Sequence, residues 1–154
     1  MLETSLTDIQ AADEILRGNL YSLPVESNSP QEQSDLPRIL VVDDERRIAD
    51  TVSEILRLAG FHVVSAYDGW KALEIAIRFQ PDYLLSDVLM PHMNGVDLAI
   101  EVRRICPQAK ILLFSGQAGI SDILVEGKRR GFEFPLIAKP IHPLKLIERI
   151  KEQR

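Results

Sequence analysis

Asp82-Tyr83-Leu84-Leu85-Ser86-Asp87 is followed by Val88-Leu89-Met90-Pro91-His92-Met93-Asn94-Gly95. Tyr83, Leu84 and Leu85 form a short apolar run, which predicts a buried strand over residues 82–86. Asp87 closes that strand and opens a loop containing Pro and Gly. Open α/β sheets place their sites at the carboxyl ends of strands. One aspartate in such a place says little, and its weight depends on what the other strands carry.

Upstream, Ile39-Leu40-Val41-Val42 is apolar throughout, long enough for a strand and too short for a helix, and Asp43-Asp44-Glu45 comes directly after it. Ile48, Val52, Ile55, Leu56 and Ala59 then recur at helical spacing, and Gly60 suits the left-handed residue after a last turn. Residues 62–66 predict a second strand. Residues 69–79 predict a helix with Leu73, Ala76 and Ile77 inward and Pro81 beyond its end. Downstream, residues 95–105 read as a helix burying Val96, Ala99, Val102 and Ile105, stopped by Pro107. Residues 110–115 are the fourth strand. Residues 120–130 form the next helix, whose closing Lys128-Arg129-Arg130 suits the negative end of a helix dipole. Residues 134–138 are the fifth strand, and Pro135 within it argues for an edge position. Pro143 starts the last helix, with Leu144, Ile147 and Ile150 inward. Five strands alternating with five helices over short connections predict an α/β fold. It is a doubly wound, five-stranded parallel sheet of the (βα)5 flavodoxin-like kind, with strand order 2-1-3-4-5.

The chain has 154 residues, 45% apolar and 27% charged, as expected of a soluble globular protein with one core-bearing domain. No apolar run approaches the roughly 18 residues of a membrane span, and no basic-then-apolar leader opens the chain. Cys106 is the only cysteine, so a disulfide framework is excluded and a cytoplasmic location is expected. The net charge of −5 is uneven: residues 1–36 carry seven acids against Arg17, a net −6, which leaves +1 for the rest. Neither part is basic enough to suggest nucleic-acid binding. Residues 1–36 are expected to be an acidic tail and linker, with one short amphipathic helix over Thr7–Arg17. The Ser-, Pro- and Gln-rich stretch over residues 22–34 has too little apolar area to offset its ordering entropy. Residues 37–154 make the folded domain.

In that strand order, Asp43-Asp44, Asp87, Ser115 and Lys139-Pro140 end neighbouring strands and converge on one end of the sheet. Carboxylates about 4 Å apart repel by roughly 4 kcal/mol per pair at an effective dielectric of about 20. A hard divalent cation removes that cost. Mg2+ suits the set best, because it keeps waters and binds through one or two carboxylates plus phosphate oxygens. Asp87 can then act as the nucleophile toward a phosphoryl group, Lys139 can pair with its oxygens, and Ser115 can hydrogen-bond one of them.

These stretches resemble the receiver domain of two-component response regulators. The resemblance runs from residue 38 to about 152 through Ile39–Glu45, Asp87–Gly95, Ser115-Gly116 and Lys139-Pro140. It implies that Asp87 is a phosphoacceptor served by a histidine kinase or a histidine phosphotransfer protein. It also implies that Asp44 binds Mg2+ directly, that Asp43 assists through water, and that Leu89 contributes its backbone carbonyl. Ser115 looks like the switch hydroxyl and Lys139 like the phosphate-pairing lysine, and the Lys139–Pro140 bond is expected to be cis. Leu89 and Gln117 flank the site and are expected to influence hydrolysis. One position departs from the pattern. Three residues before the lysine such domains commonly carry an aromatic ring or His, and here stands Leu136. Phe134, two residues earlier, is expected to share its face of the strand and to substitute in part.

No output domain is expected within this length, and the chain resembles stand-alone, chemotaxis-regulator-like receivers. It is read as a signalling phosphoacceptor, not an enzyme in its own right, and as a monomer or weak homodimer. It would act through an unknown output protein or by onward phosphotransfer, without nucleic acid or membrane. A haloacid-dehalogenase-like phosphatase also uses an aspartyl phosphate, but its two aspartates alternate after the first strand, whereas Asp43 and Asp44 are adjacent. A flavodoxin-like cofactor binder needs a phosphate loop where this chain has carboxylates. A receiver acting without phosphorylation is opposed by the intact Asp44, Asp87, Ser115 and Lys139.

Overall fold

The computed structural model describes residues 35–116 and 119–153. The expected helix over residues 7–17, the linker over 22–34 and Gln117 lie outside them. The elements run β1 Arg38–Val42, α1 Arg46–Leu58, β2 His62–Ala66, α2 Gly69–Phe79 and β3 Tyr83–Asp87. They continue with α3 Gly95–Ile105, β4 Lys110–Ser115, α4 Ser121–Arg129, β5 Leu136–Ala138 and α5 Pro143–Lys151. The five strands form one sheet in the order β2-β1-β3-β4-β5, every pair parallel, as expected.

The strands are apolar on both faces because both faces are covered. Successive residues point to opposite sides. Leu40, Val42, Leu84, Ile111 and Leu113 meet α2 and α3 in one cluster, closed by Ile120 and half-buried Ile123 and Leu124 of α4. Ile39, Val41, Leu85, Leu112, Phe114 and Ile137 meet Ala49 and Leu56 of α1 and Leu146 and Ile150 of α5 in the other. Each such Val, Leu, Ile or Phe side chain contributes about 1.5–3 kcal/mol by leaving water.

Local chemistry sets the helix ends. Asp68 Oδ1 accepts from Lys71 N–H at 2.7 Å and Asn94 Oδ1 from Asp97 N–H at 2.9 Å, so α2 and α3 begin on side-chain caps. His142 Nδ1 accepts from Leu144 N–H at 3.1 Å, with Pro143 behind it in the first turn of α5. Gly60, with φ of 97°, takes the left-handed turn after α1.

Three expectations need correction. β5 begins at Leu136, not at residue 134. Pro135 has no N–H for the ladder, although its carbonyl still accepts from Leu113 N–H at 2.9 Å, and β5 is an edge strand as its proline suggested. Ile77 faces outward, 61% exposed, because α2 buries its small residues Gly69, Ala72 and Ala76. Leu144 is 55% exposed, and Leu146 takes its place inward. The two differ by about 200° around the helix, and Leu146 shares its side with Ile150.

Candidate functional site

The register aligns the carboxyl ends of the central strands. Val42 lies beside Ala66 and Ser86, Asp87 beside Phe114, and Ser115 beside Ala138. The strand ends and the loops leaving them are therefore gathered at one end of the sheet. The carboxylates of Asp43, Asp44 and Asp87 each place an oxygen within 4.8 Å of the others. Asp43 is almost fully buried. Its Oδ1 accepts from Glu45 N–H at 2.9 Å and its Oδ2 from Lys139 Nζ at 2.7 Å. Lys139 Nζ also donates to Asp87 Oδ1 at 3.3 Å and stands 5.4 Å from the centre of the Phe114 ring. Asp44 is exposed at the mouth.

The electrostatics reflect this crowding. Burial raises the Asp87 carboxyl to about 6. The Lys139 charge opposes that shift, and the Asp43 and Asp44 charges add to it. Burial works against the Lys139 ammonium, but the hydrogen bond and charge of Asp43, with those of Asp87, outweigh it and hold Lys139 above its ordinary value. Removing one partner of the buried Asp43–Lys139 pair costs about 3–5 kcal/mol, because the other charge is left stranded.

The surrounding backbone is built closely around Asp87. Val88 N–H donates to Phe114 O at 2.9 Å and Gly95 N–H to Val88 O at 2.8 Å, which folds the loop after β3 back onto the strand end. A Cβ at position 95 would collide with the Asp87 carbonyl oxygen, so only glycine fits. Lys139 N–H donates to Ser115 O at 2.8 Å, which joins the ends of β4 and β5, and the Lys139–Pro140 bond is cis, as expected.

Asp43, Asp44, Asp87 and Lys139 are thus brought into one cluster, and buried Ser115 is tied to it through its carbonyl. Leu89 lies two residues beyond Asp87 and is exposed. Leu136 is exposed at the start of β5. Phe134 precedes the strand instead of sharing it, stacked on Phe132 at 5.9 Å and 5.7 Å from the Arg103 guanidinium carbon. The sequence reading missed a group beside the cluster. Arg46 lies over the Tyr67 ring, and the Tyr67 hydroxyl reaches Asp50, a contact across 17 positions that no local pattern announces.

Comparison with known proteins agrees with this architecture. The chain belongs to the response regulator receiver domain family, whose model matches residues 39–151. It is 38% identical over 104 residues to a response regulator receiver protein of Anaeromyxobacter sp. strain Fw109-5, which covers 68% of this chain and 43% of that one. It is 32% identical over 116 residues to the chemotaxis protein CheY of Thermotoga maritima, 75% of this chain and 95% of that one. A crystal structure of a CheY-like receiver domain protein from Methanospirillum hungatei superimposes with a TM-score of 0.69 at 29% identity, covering 77% of this chain and 93% of that one. The chain spans less than half the length of the Anaeromyxobacter relative. Among the described residues, no helix is long and apolar enough to cross a membrane.

Proposed function

We propose that Asp87 accepts a phosphoryl group from a histidine kinase or a histidine phosphotransfer protein, and that the phosphorylated domain signals by protein contact or onward phosphotransfer. The observation that carries this reading is the convergence of three carboxylates with one ammonium that touches two of them. Three carboxylates and one ammonium leave two negative charges, the charge a divalent cation balances, and the all-oxygen donor set suits Mg2+. Asp44 and Asp87 would hold it directly, with Asp43 through water and the Leu89 carbonyl completing the set. When bound, the ion neutralises charge on the transferring phosphoryl oxygens.

The chain's own groups do the rest. An Asp87 carboxylate oxygen attacks phosphorus, the P–N bond of the donor phosphohistidine breaks, and its electron pair stays on the imidazole. Lys139, already 3.3 Å from Asp87 Oδ1, pairs with a phosphoryl oxygen, and the Ser115 hydroxyl hydrogen-bonds another. The added charge at Asp87 draws Ser115 toward it and biases α4 and β5 between two packings. Leu136, in place of an aromatic ring, limits how much of that change passes through a rotating side chain.

Intact mass after incubation with acetyl phosphate and Mg2+ tests the reading. The expected product carries one phosphate, requires Mg2+ and is absent in Asp87→Asn. No adduct on the wild-type chain, with no binding of beryllofluoride, overturns it.

A further inference from the structure

Arg46 is the first residue of α1, two positions after Asp44 and three after Asp43. A cation is poorly placed there, because a helix N-terminus carries the positive end of the dipole. The first turn of α1 holds no acidic residue, and its N-cap side chain makes no capping bond. A long guanidinium this close to three carboxylates would ordinarily fold back on them and compete with a divalent cation for the same oxygens. Instead, its central carbon lies 4.1 Å from the centre of the Tyr67 ring, within cation–π range, and among the described residues Arg46 forms no ion pair.

Two further contacts fix this arrangement. Asp50 stands four residues along α1, the spacing at which arginine and aspartate usually pair directly. Here Tyr67 comes between them, its hydroxyl donating to Asp50 Oδ1 at 2.6 Å while its ring receives Arg46. Tyr67 itself comes directly after β2, whose last residue Ala66 accepts from Asp43 N–H at 3.2 Å. The ring is therefore delivered beside the carboxylate cluster by the neighbouring strand.

We propose that Tyr67, anchored by Asp50, is a positioning residue that parks Arg46 off the Asp43–Asp44–Asp87 cluster and keeps those carboxylates available to a divalent cation. The proposal rests on the cluster being a cation and phosphoryl site.

Calorimetric titration of the full chain with Mg2+ tests it. Tyr67→Ala frees Arg46 and is expected to weaken Mg2+ binding roughly three- to fivefold, the range of an exposed arginine–carboxylate pair. Tyr67→Phe keeps the ring and stays within about twofold of wild type. Adding Arg46→Ala to Tyr67→Ala restores the affinity of Arg46→Ala alone, whereas adding Arg47→Ala does not. Phosphate incorporation by Tyr67→Ala from acetyl phosphate falls at low Mg2+ and recovers at saturating Mg2+. Tyr67→Leu, which also lacks the ring, serves as the second variant should the alanine variant fold poorly. Unchanged Mg2+ affinity in the ring-deleted variants overturns the proposal, and so does a loss that persists without Arg46, which marks a purely structural role. Those results leave the parent reading intact if the wild type binds Mg2+. A wild type that binds none overturns both.

Discussion

α3 and the α4–β5 segment flank the same cluster and are built differently. Six of the eleven residues of α3 are buried, against one of nine in α4 and one of three in β5. α3 starts at Gly95, pressed on the Asp87 backbone, and is sealed by Leu98, Ile100 and Val102. α4 and β5 leave Val125 and Leu136 to solvent, and the single buried residue of α4, Gly127, lies where a Cβ would press on Val96 of α3. Densely packed elements resist displacement, whereas sparsely buried ones reorganise at low free-energy cost. The proposed nucleophile, Asp87, is thus seated on the densely packed side, and the elements that would carry the signal outward are drawn from the weakly held side.

The comparison breaks most readily at Gly95. Gly95→Ala sets a methyl against a backbone oxygen that cannot yield, and unfolding in urea is expected to show a loss above roughly 4 kcal/mol. Leu98→Ala in α3 should cost about 2–5 kcal/mol, whereas Val125→Ala in α4 should stay within about 0.5 kcal/mol. Similar losses at both positions would erase the contrast.

Asp87 sharpens it through pH. Its folded value of about 6 exceeds the ordinary 3.8, so the folded chain holds this proton more tightly than the unfolded chain. The associated stability is complete below about pH 3.8 and is lost as the pH rises through about 6. Without Mg2+, Asp87→Asn should therefore be more stable than wild type at pH 7 by about 1–3 kcal/mol. The gap should close below about pH 4, and Mg2+ should narrow it by stabilising the wild type. Thermal melts across pH check this, and a wild type more stable than the variant at pH 7 without Mg2+ would contradict it. A small effect is expected on the seam between the two regions, where Arg130 reaches Asp97 at 2.7 Å. Arg130→Ala should cost less than about 1 kcal/mol, because the pair is exposed.

Much of this was legible in the sequence. Buried parallel strands need apolar side chains on both faces, so Ile39–Val42 and Ile111–Phe114 stand out as short continuous runs, and right-handed crossovers then constrain their order. Asp43, Asp44, Asp87 and Lys139 are legible for the same reason, since each comes just after such a run. Helix facing was less so. Ile77 and Leu144 are apolar residues on helices whose buried sides are set by how closely they approach the sheet, and small residues at 69, 72 and 76 decide that for α2. Long-range polar contacts were not legible at all. The Ser53–Ser65 hydroxyl pair at 2.6 Å and the Tyr67–Asp50 bond depend on α1 and β2 being adjacent in space.

Hydrogen exchange of the full chain in Mg2+, with and without beryllofluoride as a phosphoryl mimic, tests the central claim most directly. The account predicts roughly tenfold or greater changes in amide protection along α4, β5 and the segment after Ser115, unchanged protection within α3, and no response in Asp87→Asn. Changes of equal size in α3, or a response that survives loss of the Asp87 carboxylate, would contradict it.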